Sequence, residues 1–261
     1  MIATTDPYFA LPFAAMAHRG GSTWEPNIGK ENTLAAFQAA VDLGYRYIET
    51  DVQATSDGQL VCFHDDTLER MTGTDKPVVE LSGDDLRTLV TLSGEPIPFF
   101  DEVVEALPTT RFNVDLKTDQ AVEPLIELIK AHRLQGRILV DSFSGPRLNR
   151  FRAQMGVEIP TAAAPGEVAR VRFFGGVGPI PAMALQVPLT HQFGPFTATI
   201  VTPATIARVH RLGKVIHVWT IDDVPEMERL IDMGVDGLVT DRPDLLKEVL
   251  IRRGLWQLQE G

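Results

Sequence analysis

The chain contains a single cysteine, Cys62, among its 261 residues. One cysteine excludes an intrachain disulfide framework and fits a protein that is kept in a reducing compartment. Long apolar runs are also missing, because no stretch approaches the roughly eighteen uninterrupted apolar residues of a membrane-spanning helix. Residues 1–17 show no basic segment followed by an apolar run. We therefore expect no signal peptide and a cytoplasmic location.

Positive charge is scarce as well, since 24 Lys and Arg stand against 35 Asp and Glu and give a formal net charge of −11. This balance argues against a nucleic acid or an anionic membrane surface as the main partner. It still allows a small anionic substrate, because one arginine and one lysine can reverse the field inside a single cleft. The apolar share of 44% and the charged share of 23% are typical of globular proteins.

Short apolar segments alternate with amphipathic ones along the whole chain, and no linker-like tract separates them. The units number about eight β–α repeats, and typical parallel barrels contain about 250 residues. We therefore predict an α/β fold, a (β/α)8 TIM barrel, as one domain over residues 1–261. The alternative is a doubly wound open sheet with a glycine-rich nucleotide loop after its first strand. The stretch at 175–178 lacks the spacing of that loop and follows no convincing strand.

The predicted elements follow the apolar periodicity, the caps and the prolines. The predicted strands cover 14–17, 45–53, 60–63, 112–117, 138–141, 158–162, 182–187, 214–220 and 237–240. The predicted helices cover 32–43, 101–107, 121–132, 146–155 and 166–173, and three more begin at 203, 225 and 243. Residues 65–98 form one irregular insertion between the second strand and the following helix. We expect it to be a small cap over the cleft of the barrel.

Two histidines, an arginine and two alternating carboxylates stand in the first quarter of the chain, in His18-Arg19-Gly20-Gly21, Glu49-Thr50-Asp51 and His64-Asp65. Side chains two positions apart on a strand point the same way, so Glu49 and Asp51 can converge on one point. Convergent carboxylates require a cation, and Mg²⁺ or Ca²⁺ is the natural oxygen-liganded guest, with Mn²⁺ as a further candidate. The pattern indicates metal-assisted phosphate chemistry, with Arg19 contacting phosphate and the histidines carrying protons.

Further polar and aromatic residues fall at the ends of later predicted strands, where the chemistry of parallel barrels is found. They are Asp115, Lys117, Ser142, Phe143, Trp219, Thr240 and Asp241. Asp115 would supply a third metal oxygen, Lys117 a phosphate contact, and Phe143 and Trp219 the walls of a substrate pocket. The other histidines (His132, His191, His210 and His217) are interpreted as helix or core residues, and Cys62 as a buried apolar side chain.

These segments resemble the signature of the glycerophosphodiester phosphodiesterase family. The matching motifs occur in the order typical of the family and span residues 14–243, nearly the whole chain. They are Ala17-His18-Arg19-Gly20-Gly21, Glu31-Asn32-Thr33, Glu49-Thr50-Asp51-Val52, His64-Asp65, Arg70-Met71-Thr72-Gly73, Asp115-Leu116-Lys117, Val218-Trp219-Thr220 and Asp236-Gly237-Leu238-Val239-Thr240-Asp241-Arg242-Pro243.

The resemblance implies a TIM barrel with a small insertion that hydrolyses glycerophosphodiesters to glycerol 3-phosphate and an alcohol. It implies one divalent metal held by Glu49, Asp51 and Asp115, and His18 and His64 as the acid/base pair. It also implies that Arg19 and Lys117 contact the phosphate. Residues 31–33 would shape the site, with Asn32 also capping the first helix. The family usually carries Glu where this chain has Asp115, which is one methylene shorter and bears on the metal preference.

Two alternatives remain at this point. The apolar loop at 173–181 could line an acyl channel or touch lipid, which would make the chain a lysophospholipase D that acts at a membrane surface. A plain buried loop is the favoured interpretation of the same residues. The second alternative is a non-catalytic barrel that serves as a binding protein. The attacking group is either water or the glycerol 2-hydroxyl, and either histidine can be the acid.

Overall fold

Strands and helices alternate along the chain in a computed structural model that describes residues 6–194 and 196–256. The strands are β1 (Ala14–His18), β2 (Tyr47–Ala54), β3 (Leu60–Cys62), β4 (Arg111–Leu116), β5 (Ile138–Asp141), β6 (Ala184–Pro188), β7 (Thr190–Phe193), β8 (Phe196–Thr199), β9 (Val215–Trp219) and β10 (Gly237–Thr240). The helices are α1 (Leu34–Asp42), α2 (Glu69–Thr72), α3 (Gly83–Arg87), α4 (Phe100–Ala106), α5 (Val122–His132), α6 (Gly145–Met155), α7 (Pro165–Phe173), α8 (Pro203–Arg211), α9 (Val224–Met233) and α10 (Pro243–Arg252).

Seven of the described strands form a curled parallel sheet in the order β5–β4–β2–β1–β10–β9–β6. The gap between β5 and β6 is bridged by residues 161–162, where Thr161 pairs with Val140 and Ala162 pairs with Ala184, both in parallel. This short segment takes the eighth position of the barrel. The predicted TIM-barrel class is confirmed, but the strand predicted at 158–162 is reduced to these two bridges.

Alternation along each strand sorts the core into an inner and an outer layer. Met16, Tyr47, Leu139, Val215 and Val239 face the barrel interior, where they form one apolar cluster. Intervening residues pack outward against the helices in a much larger cluster. Because side chains two apart share a face, the residues that follow the inner layer towards the carboxyl ends of the strands also face the interior.

The insertion at 65–98 contains α2 and α3 and packs on its own small apolar cluster. It leaves the barrel through β3, which pairs antiparallel with β2 and lies off the barrel path. Gln53, two residues beyond Asp51 on the same face of β2, donates hydrogen bonds to the carbonyls of Phe63 and Asp65 at 3.2 and 2.7 Å. The insertion is thereby tied to the strand that carries the candidate carboxylates.

Two local expectations were wrong. The first helix is capped by Thr33, whose Oγ1 accepts from the Ala36 amide at 3.2 Å, and not by Asn32. Asn32 lies one residue earlier in a left-handed conformation (φ 56°), and its side chain points into the site. Between β6 and α8, where no element is predicted, β7 and β8 form an antiparallel hairpin.

Proline begins α8 and α10 and is the second residue of α9, as predicted. Within the described ranges, no helix is both long and apolar enough to cross a membrane. The assignment of residues 1–261 to a single domain stays a prediction, and its two ends lie outside the described residues.

Candidate active site

A cavity of ≈ 200 Å³ opens at the carboxyl ends of the barrel strands. Every residue that the sequence singled out for catalysis, metal or substrate lines it, namely His18, Arg19, Glu49, Asp51, His64, Asp115, Lys117, Phe143 and Trp219. They come from β1, β2, β4, β9 and the loops that follow strands, so the parallel barrel assembles them at one mouth.

The turn after β1 brings Arg19 over the carboxylates. Arg19 has φ 51°, and the two glycines that follow have φ 89° and 93°. A Cβ on Gly20 would lie 2.8 Å from the Cβ of Ala36, and one on Gly21 would lie 2.6 Å from Cγ of Pro243. Glycine is therefore required at both positions by conformation and by space.

Glu49 and Asp51 follow Tyr47 on the interior face of β2, and Asp115 is the register partner of Asp51 on β4. The guanidinium of Arg19 places Nε 3.0 Å from Oδ2 of Asp51. Lys117 Nζ lies 3.3 Å from Oδ1 of Asp51 and 3.1 Å from Oδ2 of Asp115. Alternation correctly brought Glu49 and Asp51 together, and the position of Asp115 at a strand end correctly placed it in the same cavity.

The carboxylates differ in electrostatic state although they are neighbours. Burial would raise the pKa of Asp51, but Arg19 and Lys117 outweigh it and hold that pKa below its usual range. Burial and the charge of Asp51 raise the pKa of Glu49 to about 8. Burial also raises the pKa of Asp115 in spite of Lys117. The cavity therefore combines one carboxylate whose charged form is stabilised, Asp51, with two whose charged forms are disfavoured, Glu49 and Asp115.

The donor set suits a hard divalent cation, because it consists of carboxylate oxygens at a water-accessible mouth. Oδ1 of Asp115 is buried and has no hydrogen-bond partner among the described residues. In their present positions, no three His, Cys, Asp or Glu side chains of the described residues lie close enough together to hold a metal ion. Lys117 contacts both Asp51 and Asp115 instead. Its ammonium group must therefore move away from these carboxylates when a divalent cation binds to them.

Each candidate histidine is oriented by an aspartate. Nδ1 of His18 lies 2.9 Å from Oδ1 of Asp241, and Nδ1 of His64 lies 2.7 Å from Oδ1 of Asp65. Burial would lower the pKa of His18, but Glu49 and Asp241 outweigh it and raise that pKa. With Nδ1 engaged, Nε2 of each ring is the nitrogen left for proton transfer.

An arginine of the insertion completes this arrangement. Arg70 in α2 binds Asp65 through Nε at 2.5 Å and binds Glu31 through Nη2 at 2.7 Å. Oε1 of Glu31 also accepts a hydrogen bond from Nη1 of Arg19 at 3.2 Å. Asn32 donates to Oδ2 of Asp51 at 2.9 Å and accepts from Thr50 at 2.8 Å. The motif at 31–33 therefore shapes the site through hydrogen bonds, as the resemblance implies.

Other strand-end residues are structural. Ser142 donates to the Leu116 carbonyl at 2.8 Å, and Thr240 donates to Asp222 at 2.9 Å. His217 is buried within the barrel beside Gln186, while His210 lies 2.8 Å from Asp236 and outside the cavity. Cys62 is buried, as expected.

Sequence reasoning missed Asp141. It ends β5 as the register partner of Asp115, and burial together with Asp115 raises its pKa to about 8. The alternation that identified Asp51 from Glu49 would also have placed Asp141 on the interior face, two residues after Leu139. The role of Asp241 was missed too, because its contact with His18 depends on the pairing of β1 with β10.

Comparison with known proteins gives concordant results. The model of the "Glycerophosphoryl diester phosphodiesterase family" matches residues 18–155 and 174–245. The probable glycerophosphodiester phosphodiesterase 2 of Mycobacterium tuberculosis is 36% identical over 93% of this chain and 92% of that protein. A glycerophosphodiester phosphodiesterase of Caldanaerobacter subterraneus is 32% identical over 92% of this chain and 98% of that protein. An Oleispira antarctica phosphodiesterase, solved in complex with the product sn-glycerol-3-phosphate, superimposes with a TM-score of 0.77, 24% identity and coverage of 94% and 99% of the two chains.

Proposed function

Because the chain belongs to the glycerophosphoryl diester phosphodiesterase family, we propose that its barrel-mouth cavity hydrolyses glycerophosphodiesters to sn-glycerol 3-phosphate and an alcohol. The observation that carries the proposal is the pair of histidines, each held at Nδ1 by an aspartate, in one cavity with four carboxylates and two basic side chains. These groups can carry out the two proton transfers, one by a general base and one by a general acid, that hydrolysis of a phosphodiester requires.

Glu49, Asp51 and Asp115 would hold one divalent cation, Mg²⁺ or Ca²⁺ with Mn²⁺ as a further candidate. When bound, such a cation neutralises phosphoryl oxygens and helps to position the nucleophile. The buried Oδ1 of Asp115 supports this assignment, because it is a carboxylate oxygen that has no hydrogen-bond partner among the described residues and is available to a cation.

Arg19 and Lys117 would donate hydrogen bonds to the phosphoryl oxygens, where negative charge builds up in the transition state. Both side chains already point into the cavity. Phe143 and Trp219 would form the wall beside the bound diester.

One histidine takes the proton from the attacking hydroxyl, and the other gives a proton to the alkoxide that leaves phosphorus. The attacker is water or the 2-hydroxyl of the glycerol itself, and the latter passes through a cyclic phosphate that water then opens. Asp241 and Asp65 keep each ring in the tautomer and orientation that this exchange requires.

The decisive experiment measures release of glycerol 3-phosphate from a panel of glycerophosphodiesters, with Mg²⁺, Ca²⁺, Mn²⁺ or EDTA. His18→Ala should abolish release, whereas His132→Ala should not, because His132 lies on α5 beside Glu105. Release that depends on metal and on His18 supports the proposal. A folded sample that releases nothing with any metal would refute it.

Lysophospholipase D activity stays a second candidate because the loop at 173–181 is not the buried loop that the sequence favoured. Phe174 and Val177 are 69% and 77% exposed. An exposed apolar loop is the feature that a lipid aggregate would contact. Turnover of lysophosphatidylcholine against glycerophosphocholine separates the two substrates.

A further inference from the structure

Charged residues are distributed unevenly along this acidic chain. Residues 159–221 contain five Lys and Arg but a single carboxylate, Glu167, whereas the whole chain contains 24 Lys and Arg and 35 Asp and Glu. Glu167 is 6% exposed and pairs with Arg152 of α6 at 3.0 Å, so it adds little charge to the surface. The segment that contains α7, β6, the β7–β8 hairpin, α8 and β9 is therefore basic, while the rest of the chain is acidic.

Arginines of this basic segment lack carboxylate partners. Among the described residues, no Asp or Glu oxygen lies within the 4.0 Å of an ion pair with Arg170, Arg172 or Arg211. The three arginines of the preceding helix α6, in contrast, each pair with a carboxylate. The dipole of a helix accounts for basic side chains in its last turn. It does not account for the near absence of carboxylates from two successive helices, α7 and α8.

Apolar side chains are exposed at the same place. Phe173, Phe174 and Val177 lie at and after the end of α7 and are 45%, 69% and 77% exposed. The guanidinium carbon of Arg172 lies 5.0 Å from the centroid of the Phe173 ring. A Cβ on Gly178 would lie 3.6 Å from Nη1 of Arg170. Basic and apolar side chains therefore lie side by side on one surface.

The end of α8 supports this surface from below. Nη1 of Arg208 donates to the carbonyl of Arg172 at 2.9 Å, which joins the ends of the two helices. Leu212 lies under the loop, because a Cβ on Gly176 would lie 2.9 Å from its Cδ1. Arg211, the last residue of α8, is exposed beside it. We call this surface the basic apolar face, and it is formed by Arg170, Arg172, Phe173, Phe174, Val177 and Arg211.

We propose that the basic apolar face docks on the surface of a lipid bilayer that contains anionic lipid. Arginines near such a surface are attracted by its negative potential. Aromatic and aliphatic side chains beside them enter the boundary between head groups and acyl chains. The docking does not depend on which diester the barrel-mouth cavity hydrolyses.

The overall charge of −11 does not prevent docking through one face. At about 0.1 M salt, charges are screened beyond roughly 10 Å, so most of the acidic remainder is too far from the membrane to oppose it. The same remainder disfavours every orientation in which an acidic surface meets the lipid. The phosphates of a nucleic acid would pair with the arginines but would leave Phe174 and Val177 in water. Lipid is therefore the partner that satisfies both kinds of side chain.

Flotation with vesicles tests the proposal without any substrate. Vesicles of phosphatidylcholine and phosphatidylglycerol in equal parts should bind the protein, and vesicles of phosphatidylcholine alone should bind it at least about tenfold more weakly. Arg170→Gln combined with Arg211→Gln should weaken binding to the anionic vesicles about tenfold or more. Phe174→Ser combined with Val177→Ser should weaken it by a similar factor.

Two matched variants serve as controls. Arg150→Gln combined with Arg252→Gln removes the same charge from exposed ion pairs elsewhere on the protein. Leu92→Ser combined with Val157→Ser removes two other exposed apolar side chains. Neither control should weaken binding to the anionic vesicles.

Several outcomes would overturn the inference. They are no flotation, equal binding to both kinds of vesicle, and equal losses in the control variants. A dimer in light scattering that dissociates when Phe174 and Val177 are replaced would assign the face to a second copy of the chain. Competition by duplex DNA that depends on the same arginines, without any effect of Phe174, would assign it to nucleic acid.

Hydrolysis of water-soluble glycerophosphoglycerol on the same samples separates this proposal from the proposed function. None of the substituted residues lines the cavity that contains the histidines, so turnover should be the same in all variants. A protein that floats with anionic vesicles but hydrolyses no diester would refute the hydrolase alone. A protein that hydrolyses the diester but does not float would refute docking alone.

Discussion

Nδ1 of His18 lies 2.9 Å from Oδ1 of Asp241, although 223 positions separate the two residues in the chain. The contact exists because β1 pairs in parallel with β10, with Ala17 opposite Thr240, so both residues leave the barrel at the same edge. The first and last strands of the barrel thus meet at the candidate acid/base group. The strand pairing that closes the barrel therefore also fixes the orientation of His18.

Asp241→Asn should lower kcat/KM by about 10²-fold or more. A neutral amide accepts the hydrogen bond from Nδ1 of His18 more weakly than a carboxylate does, and it does not stabilise the protonated imidazole by its charge. Ser22 donates to the same Oδ1 at 2.7 Å, so Ser22→Ala is a matched variant that leaves the carboxylate in place. We expect a much smaller loss for it. Steady-state kinetics on both variants, with circular dichroism to verify folding, measure the difference. Equal losses in the two variants would contradict a specific role for the carboxylate.

Arg70 is expected to act as a positioning residue for His64. It holds Asp65, which in turn holds Nδ1 of His64. Arg70→Gln should lower kcat about tenfold, while unfolding free energy changes by less than about 1 kcal/mol, because the arginine side chain is 50% exposed. Arg70→Lys should restore part of the rate.

The insertion supplies a control for this prediction. Arg87 forms an ion pair with Glu102 at 2.7 Å and is 47% exposed, but it does not line the cavity. Arg87→Gln should leave kcat unchanged. A similar fall in kcat for both variants would show that the insertion affects the site only through its general stability.

Divalent metal should stabilise the folded protein, because an ion that binds only the native carboxylates shifts unfolding by mass action. We expect Mg²⁺, Ca²⁺ or Mn²⁺ to raise Tm and EDTA to reverse the increase. Asp115→Asn should abolish most of the increase, whereas Asp115→Glu, which restores the side chain usual in the family, should retain it. Calorimetry with the metal alone checks this without substrate. A metal-dependent Tm that survives in Asp115→Asn would exclude Asp115 as a ligand.

The sequence predicted most of what depends on local periodicity. Alternation on one strand was enough to bring Glu49 and Asp51 together, and the position of Asp115 at a strand end added the third carboxylate. It was not enough for His18, whose partner Asp241 is set by a pairing between the ends of the chain. A second cavity, lined by Val168, Val187 and Ile200 among others, was missed for a different reason, because it depends on how α7 packs against β6 and the residues after β8.

Local signals also misassigned Asn32. Asn and Thr are both good helix caps, and the sequence alone gave no reason to choose Thr33. The structure uses Thr33 for the helix and turns Asn32 towards Asp51 and Thr50, at φ 56°. A residue held in an unusual conformation by such contacts is typical of a functional site.

Gly20→Ala should destabilise the protein by about 2–5 kcal/mol, because left-handed strain adds to a clash of the new Cβ with Ala36. Gly58 has nearly the same conformation, φ 85°, but nothing lies within 4 Å of its Cβ position. Gly58→Ala should therefore cost only the conformational part, about 1–2 kcal/mol. Urea denaturation measures both values, and equal costs would rule out the close approach at Gly20.

His217 should make stability fall as the solution is acidified. It is buried in the barrel, where Gln186 Nε2 lies 3.3 Å from its Nδ1, and burial lowers its pKa to about 4. Between that value and its unfolded pKa of about 6.5, the unfolded chain binds more protons than the folded one. The contribution is therefore complete above pH 6.5 and is lost as pH falls towards 4.

The size of this effect is on the order of 3 kcal/mol when it is fully lost. Since the carboxylates of the protein titrate in the same pH range, the quantity to measure is the difference in unfolding free energy between the original protein and His217→Gln. That difference should change by about 2–3 kcal/mol between pH 7 and pH 4.5, in the direction that disfavours the protein with histidine. A difference that stays constant across this range would mean that the pKa of His217 is the same in the folded and the unfolded protein, and it would contradict the prediction.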